Sequence, residues 1–464
     1  MRLAQSTLII LIVRDRYFPS RAGSRQKGVA MNGTRRALPR IFAAFFGLML
    51  VLLVTPAFGQ GDTWTFRAPM SFPRILHAAG VVDGKLYVVV GGSTPGVGSP
   101  PPEVYDPESD TWTTLAPRPK ADAGVAEIAG KLYVAGGCCW PPYTAMLEVY
   151  DPATDTWEVR TPMSTGRMDP AVGAIGGKLY VAGGRNNSGG SFLNTLEVYD
   201  PATNNWEARA PMPLGVEAPA TGVIDGKLYA AGGWTAWYGG YNYTGVLQVY
   251  DPATDGWEVR ASMPTARGSA SGGVIGGKLY VAGGATNVTD FATLEEYDPI
   301  TDTWTTRTPM QTERWGLAVG AINGRLYATG GCADGYDVCP TTLEVYTPPV
   351  ITVAIDVKPG SDPSRINPKS RGRIPIAILS SAAFAAPAQV DVGSLTFGRT
   401  GNEPSLDFCN AGGEDVNGDG RADLVCHFRT QAAGFQRGDT QAVLKGSTIS
   451  GIPITGSHAI RIVP

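Results

Sequence analysis

The chain has 464 residues, of which 43% are apolar and only 17% are charged. At roughly 100–200 residues per domain, this length allows two to four domains. The low charge excludes a coiled coil or long solvated helices. The 60 Gly and 36 Pro residues follow no collagen-like period and predict turns in a β-rich chain.

The charge is unevenly distributed along the chain. Residues 1–59 hold nine of the 38 Lys and Arg residues and one of the 41 Asp and Glu residues. The remainder therefore carries a net charge of −11. Such a balance disfavours polyanionic partners, so we expect neither nucleic acid nor an anionic membrane surface to be bound.

Residues 31–59 have the pattern of a signal peptide. Three arginines precede an apolar run of 14 residues from Ile41 to Val54, and small residues stand at a cleavage site before Gln60. This run is shorter than the ~20 residues that span a bilayer, which favours a cleaved signal over an anchor. We expect residues 1–30 to be a non-native or unstructured extension. The mature protein is then secreted, periplasmic or on the cell surface, with no membrane span.

An internal repeat organises the middle of the chain. A segment of the type G-K-L-Y-x-x-G-G recurs six times, and each copy is followed by a variant of L-E-V-Y-D-P-x-T-x-x-W, although the sixth stops before the Trp. Successive tryptophans are 48, 45, 49, 51 and 47 residues apart. Apolar runs alternate with tight turns, so each unit predicts four short strands. The tryptophans are Trp64, Trp112, Trp157, Trp206, Trp257 and Trp304.

This period, with its double Gly, Tyr and Trp, resembles the kelch repeat, a four-stranded blade of a β-propeller. The resemblance covers residues 62–349 and implies an all-β, six-bladed propeller. The first strand of each unit is rich in Ala and Gly, which suits the crowded centre of a propeller. Because the sixth unit lacks a Trp strand, we expect residues 62–66 to pair beside residues 343–346 and close the ring.

One face of this propeller is the predicted binding face. Most of the variation in length falls between the second and third strands, and in an up-and-down blade this loop emerges beside the links between blades. Loops on a rigid frame commonly carry binding sites. The predicted ligand-binding residues that precede the inner strands are Arg74, Arg167, Arg267 and Arg314, with Lys120 in the second blade and Glu217 in the fourth.

Aromatic residues in the long loops extend this predicted site. Arginines beside flat aromatic rings suit a carboxylate-bearing or sugar ligand. In the other interpretation, the arginines pair with neighbouring backbone or acids and the aromatic residues only pack their loops. The predicted aromatic residues are Trp140 in the second blade and Trp234, Trp237, Tyr238, Tyr241 and Tyr243 in the fourth.

These features predict a recognition or scaffold protein that binds a glycan, a cell-surface component or a protein. The alternative is a carbohydrate-active enzyme, similar to a mutarotase, lyase or hydrolase, that uses the central funnel. Such an enzyme needs a positioned acid or base, and Glu217 is the residue to test. His77, the only histidine of the propeller, is expected to be structural, and no catalytic residue is assigned.

Residues 350–464 predict a separate small β-sandwich, because strand-like runs alternate with turns. The segment is similar to a tail domain of secreted bacterial proteins at residues 355–360, 366–370 and 460–464. Oxygen-bearing side chains at alternate positions followed by a Gly resemble the first half of an EF-hand loop, which implies Ca²⁺, although Cys426 replaces the usual glutamate. A metal-free turn is the alternative. The predicted ligands are Asp415, Asn417, Asp419, Arg421 through its carbonyl, and Asp423.

The six cysteines are disulfide candidates, because an exported protein folds in an oxidising compartment. Proximity in the sequence favours Cys332 with Cys339 and Cys409 with Cys426. The adjacent Cys138 and Cys139 are left open, since a bond between neighbours is strained.

Overall fold

The structure is a computed structural model, and it describes the chain from Asp62 onwards. The predicted extension and signal peptide, residues 1–59, lie outside the described residues. So do His77, Lys120 and Cys139. The described residues are 62–76, 78–89, 91–92, 100–117, 121–138, 143–186, 192–237, 240–333, 339–361, 363–382, 384–410, 412–449 and 452–464.

The described part of the repeat region forms six antiparallel sheets of four strands each, which confirms the predicted all-β propeller architecture. We call these sheets blades 1 to 6 and their strands inner, second, third and outer. In blades 1 to 5 the four strands follow one another in the sequence. Blade 1 contains Ala79–Val82, Lys85–Val88, Glu103–Asp106 and Thr111–Thr114; blade 2 contains Ala121–Ile128, Lys131–Cys138, Leu147–Asp151 and Thr156–Arg160; blade 3 contains Ala171–Ile175, Lys178–Ala182, Leu196–Asp200 and Asn205–Arg209; blade 4 contains Ala220–Ile224, Lys227–Ala231, Leu247–Asp251 and Gly256–Arg260; blade 5 contains Ser271–Ile275, Lys278–Ala282, Leu294–Asp298 and Thr303–Arg307.

Blade 6 combines strands from both ends of the repeat region. Its first three strands are Ala318–Ile322, Arg325–Thr329 and Leu343–Thr347, and its outer strand is Thr63–Arg67. The pairing is antiparallel and places Trp64 opposite Tyr346. The predicted pairing of the strand around Trp64 with residues 343–346 is therefore confirmed.

Each outer strand is fixed by the same set of contacts, which blade 5 illustrates. The Tyr297 hydroxyl donates to Asp302 Oδ1 at 2.7 Å, and the same oxygen accepts the Ala261 backbone N–H at 3.0 Å. Trp304 Nε1 donates to the Ala261 carbonyl at 2.7 Å, and its ring lies 5.1 Å from that of Tyr297. Asp302 has a positive φ of 54°, which its short side chain tolerates. One carboxylate thus ties its own blade to the link that enters from the preceding outer strand.

Asp62 and Trp64 repeat this arrangement in blade 6. Tyr346 donates to Asp62 Oδ1 at 2.7 Å, and the Thr308 N–H donates to the same oxygen at 3.2 Å. Trp64 Nε1 donates to the Thr308 carbonyl at 2.8 Å. Asp62 has a φ of 56°, matching that of Asp302. The amino-terminal strand therefore occupies the position of an outer strand in geometry as well as in register.

Neighbouring blades pack closely because the inner strands of blades 1, 3, 4, 5 and 6 carry a glycine opposite the tyrosine of the second strand, where blade 2 has Ala126. A Cβ at Gly173 would lie 2.7 Å from side-chain atoms of Leu228 and Val223 in the next blade. A Cβ at Gly320 of blade 6 would lie 2.4 Å from Leu86 of blade 1. The small residues expected at the centre are thus required by side chains arriving from the adjacent blade. The five glycines are Gly80, Gly173, Gly222, Gly273 and Gly320.

Two further sheets follow the propeller strands. They enclose one apolar core to which both contribute, including Ile376 and Phe428 from one sheet and Phe397 and Leu444 from the other. The first sheet contains Ile351–Thr352, Ser364–Ile366, Val390–Gly398, Gln441–Thr448 and Pro453–Ile462; the second contains Ile355–Val357, Arg373–Ile378, Leu406–Cys409 and Leu424–Arg429.

The sequence pattern located most of these tail strands but missed the short ones at Ser364–Ile366 and Leu406–Cys409. It also missed the single helical turn Ala386–Gln389, whose first helical positions include a proline. Among the described residues, no helix has the length and apolar character needed to cross a membrane.

Candidate functional site

Four of the predicted ligand-binding arginines are buried inside the blades. Each is at most 1% exposed and forms an ion pair with a glutamate of the third strand of its own blade. In blade 3 the distance from Arg167 Nη2 to Glu197 Oε1 is 2.5 Å, and in blade 5 that from Arg267 Nη1 to Glu295 Oε2 is also 2.5 Å. The four pairs are Arg74–Glu103, Arg167–Glu197, Arg267–Glu295 and Arg314–Glu344.

Three of these guanidinium groups, those of Arg167, Arg267 and Arg314, also bind backbone carbonyls at the double-glycine bend. Arg74 instead donates to the Pro100 and Pro101 carbonyls before its third strand. Arg167 Nη1 donates to the Gly183 carbonyl at 3.0 Å, and Arg267 Nε donates to the Gly283 carbonyl at 2.6 Å. Gly183 and Gly283 have positive φ values of 68° and 63°, which glycine adopts without steric cost. Each of these three arginines therefore joins the link, the second strand and the third strand of its blade.

This burial corrects the prediction that Arg74, Arg167, Arg267 and Arg314 contact a ligand. Desolvation lowers the pKa of all four guanidinium groups, and the paired glutamate partly offsets that effect. The hydrogen bonds of these guanidinium groups lie within the blade, out of contact with solvent. The alternative interpretation from the sequence, pairing with neighbouring backbone and acids, is the correct one for these residues.

Blade 4 lacks this ion pair because both partners are replaced. Val216 occupies the arginine position, and Gln248 occupies the glutamate position. The Gln248 side chain accepts the Leu214 N–H at 2.8 Å and donates to the Leu214 carbonyl at 3.1 Å. A buried glutamate without an arginine would be an unpaired charge, so the joint replacement is physically consistent.

Glu217 therefore does not occupy the arginine position, as the sequence analysis assumed, but the next one. It forms a β-bridge with Trp234 and corresponds to Met168 in blade 3 and Trp315 in blade 6. This position lies at one end of the central channel, where the link meets the loop between the second and third strands. The predicted placement of these two segments on one face is confirmed by the same bridges.

Within the described part of the chain, five such bridges surround this end of the channel, which we call the mouth. The strand core of each blade repeats Leu, Tyr and Gly, but the paired side chains at the mouth differ in every bridge. The bridges join Ile75 to Gly92, Met168 to Arg185, Glu217 to Trp234, Gly268 to Ala285, and Trp315 to Cys332.

The residue that follows each first bridge position has a left-handed backbone. Leu76, Asp169, Ala218 and Ser269 have φ values of 47–52°, a conformation that costs free energy for non-glycine residues. The N–H groups of Leu76, Ala218 and Ser269, and that of Gly316 at the same position in blade 6, donate to the equivalent carbonyl of the preceding blade, so hydrogen bonds run from blade to blade around the mouth. The donor–acceptor pairs are Leu76–Gly316 at 2.8 Å, Gly316–Ser269 at 2.9 Å, Ser269–Ala218 at 3.1 Å and Ala218–Asp169 at 2.9 Å.

Among the described residues, two of the cavities at the mouth share Trp234, Asn287 and Trp315. The first, the mouth cavity, has a volume of about 260 Å³. The second, the side furrow, has a volume of about 530 Å³ and runs along the loop of blade 5. The mouth cavity is lined by Leu76, Met168, Asp169, Arg185, Glu217, Trp234, Ser269, Asn287 and Trp315, and the side furrow by Trp234, residues 285–290, Glu313 and Trp315.

Trp234 is held firmly between these cavities. Its Nε1 donates to Ser269 Oγ at 2.9 Å, and its ring meets that of Tyr243 edge-on at 6.2 Å. The indole lies over Gly268, where a Cβ would come within 2.4 Å of Nε1. The strands Trp234–Trp237 and Gly240–Tyr243 form a hairpin that carries both rings. This hairpin is the long aromatic loop that the sequence singled out.

Four of the predicted aromatic residues have side chains outside the described part of the structure. Trp140 and Tyr238 lie outside the described residues, as do the side chains of Trp237 and Tyr241. The sequence reasoning missed Trp315 and Arg185, which face the same cavities as Trp234 and Glu217. Alignment of the six repeats at the mouth positions would have found both, because they lie in register with Glu217 and Trp234 respectively.

A charged pair spans the mouth cavity. Arg185 Nε lies 3.4 Å from Glu217 Oε2, and Arg185 Nη2 lies 3.2 Å from the Met168 sulfur. Its guanidinium carbon is 5.7 Å from the centre of the Tyr143 ring. Glu217 is 6% exposed. The mouth therefore contains aromatic surface and charge, but its glutamate is already engaged by an arginine.

Both disulfides expected from proximity are present, between Cys332 and Cys339 and between Cys409 and Cys426. The first braces the segment opposite Trp315, because Cys332 is the bridge partner of that residue. The side chain of Cys138 lies outside the described residues.

The predicted calcium loop forms a compact turn in the tail. Asp415 accepts backbone N–H groups from Gly418, Asp419 and Gly420, and the buried Asp423 accepts those of Ser380 and Val416. Within the described part of the chain, no three His, Cys, Asp or Glu residues are grouped to hold a metal ion. These contacts account for the turn without an ion, and calcium binding stays a prediction.

The comparisons with known proteins agree with the repeat architecture. The model described as the KLHDC2/KLHL20/DRC7 Kelch-repeats domain matches residues 123–331, and the Kelch motif model matches residues 73–119. The chain therefore contains kelch-repeat domains, as its double-glycine, Tyr and Trp pattern predicted.

Curated relatives match one short stretch each. Segments of 80–87 residues, 17% of this chain, are 37% identical to Kelch-like protein 15 of Danio rerio, 38% identical to alpha-scruin of Limulus polyphemus and 39% identical to F-box protein AFR of Arabidopsis thaliana. They span only 14%, 9% and 22% of those proteins. A solved structure titled "Structure of YjhT" is similar over 59% of this chain and 95% of that chain, with a TM-score of 0.53 and 17% identity, and this shows the fold alone.

The buried ion pairs generate a prediction that uses blade 4 as its template. Changing Arg167→Val alone should destabilise the protein by about 3–5 kcal/mol, because it leaves Glu197 buried without a partner. Combining Arg167→Val with Glu197→Gln reproduces the pair found in blade 4, so the melting temperature should recover much of the loss. Thermal unfolding monitored by circular dichroism measures both variants.

The exposed pair Arg160–Glu158, at 2.8 Å, provides the matched control. The same two changes there should move the melting temperature little, since exposed pairs contribute about 0–1 kcal/mol. A double variant at Arg167 and Glu197 that is as unstable as the sum of its single variants would contradict the prediction.

The calcium prediction is tested on the same protein. Millimolar Ca²⁺ added to chelator-treated protein should raise the melting temperature, because a ligand that binds only the folded state stabilises it by mass action. Asp415→Asn with Asp419→Asn should remove that increase. A melting temperature that is unchanged by both calcium and chelator would exclude the site.

Proposed function

We propose that this protein is an exported recognition scaffold whose propeller mouth binds a protein ligand. Kelch repeats are found across binding scaffolds, and the comparisons support that broad class. The observation that carries the proposal is the contrast between the repeated blades and the non-repeated pairs at the mouth. Export is supported by the two disulfides, which are typical of oxidising compartments.

The contrast is informative because the six blades have the same packing requirement. Each must bury the same tyrosine and pack against the next blade, and the same residue types recur at those positions. The mouth positions carry no such shared packing requirement, so their divergence within one chain reflects another use. A binding surface needs different side chains at different points, which is what the five bridges provide.

The mouth also has the rigidity that recognition favours. Backbone hydrogen bonds link equivalent residues around the mouth, and the Trp234 indole is fixed at its nitrogen by Ser269. Trp315 is anchored through backbone bonds to Cys332, which forms a disulfide. Preorganised aromatic anchors lose little entropy on binding and commonly carry much of the affinity of an interface.

A protein ligand is preferred over the glycan that was also expected. The two cavities are open and lie at the centre of a broad loop face, and the kelch models point to protein-binding scaffolds. The carbohydrate-active enzyme expected as the alternative needs an accessible carboxylate. Glu217 is buried and paired with Arg185, so no observation favours that alternative, and it is not proposed.

The test selects ligands without assuming their sequence. A displayed random peptide library is panned on the secreted protein, whose amino-terminal sequence also checks cleavage before Gln60. Selected peptides should bind at least tenfold more weakly to Trp234→Ala and to Trp315→Ala, because each change removes an anchor. Melting temperatures of these variants verify that they remain folded.

Two exposed apolar residues away from the mouth give matched controls. Val259 lies on an outer strand, and Ile300 lies in a turn after a third strand; they are 55% and 91% exposed. Val259→Thr and Ile300→Ser should leave binding within twofold of the original protein. Peptides that respond to these controls but not to the tryptophan changes, or a library that yields no binder, would overturn the proposal.

A further inference from the structure

The charge of the mouth selects among the ligands that the proposed function allows. We propose that the side furrow binds a basic peptide segment, with a Lys or Arg side chain lying between Trp234 and Trp315. This inference rests on the proposed function and adds the chemical class of the partner.

The described lining of the two cavities is acidic. Four carboxylates face one guanidinium group, so the lining carries a net charge of −3. The whole propeller shows the same sign, since residues 60–349 hold 18 Lys and Arg and 30 Asp and Glu. The carboxylates are Asp169 and Glu217 in the mouth cavity and Asp290 and Glu313 in the side furrow, and the guanidinium belongs to Arg185.

The arrangement of these charges favours the side furrow over the mouth cavity. Arg185 lies beside Glu217 at 3.4 Å and lines only the mouth cavity. Glu313 is exposed, and its neighbour Arg314 is turned inward to Glu344 and fully buried. The positive charge nearest in sequence to Glu313 is therefore paired with Glu344 and does not neutralise Glu313.

The aromatic walls add a second attraction for a cation. Trp234 and Trp315 both line the furrow, and the face of an indole ring attracts ammonium and guanidinium groups. Gly268 lets the Trp234 ring approach the backbone, and Ser269 fixes its nitrogen. The ring is thereby held in place before any ligand arrives.

The loop of blade 5 forms an ordered wall on the other side of the furrow. Thr286 N–H donates to the Thr289 carbonyl at 2.9 Å, and a backbone bridge joins Ala285 to Asp290. The loop presents Val288, which is 89% exposed. A lysine or arginine combines an apolar stem with a charged end, so it matches a wall that offers a valine beside carboxylates.

These features disfavour anionic ligands for the same furrow. A phosphate, a nucleic acid or an acidic peptide would be repelled by the carboxylates of Asp290 and Glu313 that line the furrow. A neutral peptide would gain the apolar contacts but not the charge. The furrow has a volume of about 530 Å³, which leaves room for a backbone segment as well as the side chain.

Fluorescence anisotropy with two labelled peptides of equal length tests the inference on the full mature chain. One peptide alternates Gly with Arg, and the other alternates Gly with Glu. The arginine peptide should bind, and its affinity should fall as salt rises from about 50 to 300 mM because salt screens exposed charges. The glutamate peptide should not bind measurably.

Paired variants separate this furrow from the general negative charge. Asp290→Asn with Glu313→Gln should weaken binding of the arginine peptide at least fivefold, and Trp315→Ala should do the same. Glu207→Gln with Glu258→Gln removes the same charge from exposed outer-strand positions and should change affinity less than twofold. Equal weakening by the two double variants, or equal affinity for both peptides, would overturn the inference.

The outcomes also separate this inference from the proposed function. Library peptides that depend on Trp234 and Trp315 but are not enriched in Lys or Arg would preserve the recognition scaffold and reject the basic ligand. Loss of dependence on both tryptophans would reject the two together.

Discussion

The structure depends on the antiparallel pairing of its first described strand with its last propeller strand. Thr63–Arg67 lies beside Leu343–Thr347. The carboxylate of Asp62 accepts a hydrogen bond from the hydroxyl of Tyr346, a fully buried residue. Without this strand, blade 6 would present an unpaired edge, and such edges promote association with other chains. The approach of Leu86 to Gly320 packs the second strand of blade 1 against the inner strand of blade 6.

Two sets of interactions hold the side chains of the mouth in place. The buried arginines of blades 3, 5 and 6 bind their links to the double-glycine bend, and the left-handed residues after the bridges donate hydrogen bonds to the neighbouring blade. The packing of the surrounding blades compensates for the free energy that these left-handed residues cost. The side chains at the mouth are consequently held at fixed positions while their identities vary, which is the physical basis for the proposed recognition.

Much of the fold was predictable because the repeat imposes the same packing six times. The strand order, the role of Trp64 and both disulfides follow from spacing alone. The arginines were predicted to contact a ligand because the sequence pattern is the same for a buried arginine and for an exposed one. Only the structure shows that Arg167 meets Glu197 across thirty positions. Glu217 was assigned to the arginine position although Val216 has the same spacing of ten residues from the preceding tryptophan as Arg167 and Arg267 have. Trp315 was missed because it stands alone beside a buried arginine.

Comparing Asp62 with Asp302 tests the central claim most directly, because the two residues make equivalent contacts in blades 6 and 5. Asp62→Ala and Asp302→Ala are measured by thermal unfolding, together with Trp64→Ala and Trp304→Ala. Each aspartate change removes the acceptor of a tyrosine hydroxyl and a backbone N–H, which costs about 1–3 kcal/mol. The account predicts equal losses of melting temperature at the two sites. Losses at Asp302 and Trp304 with none at Asp62 and Trp64 would contradict it, because the amino-terminal strand would then be dispensable.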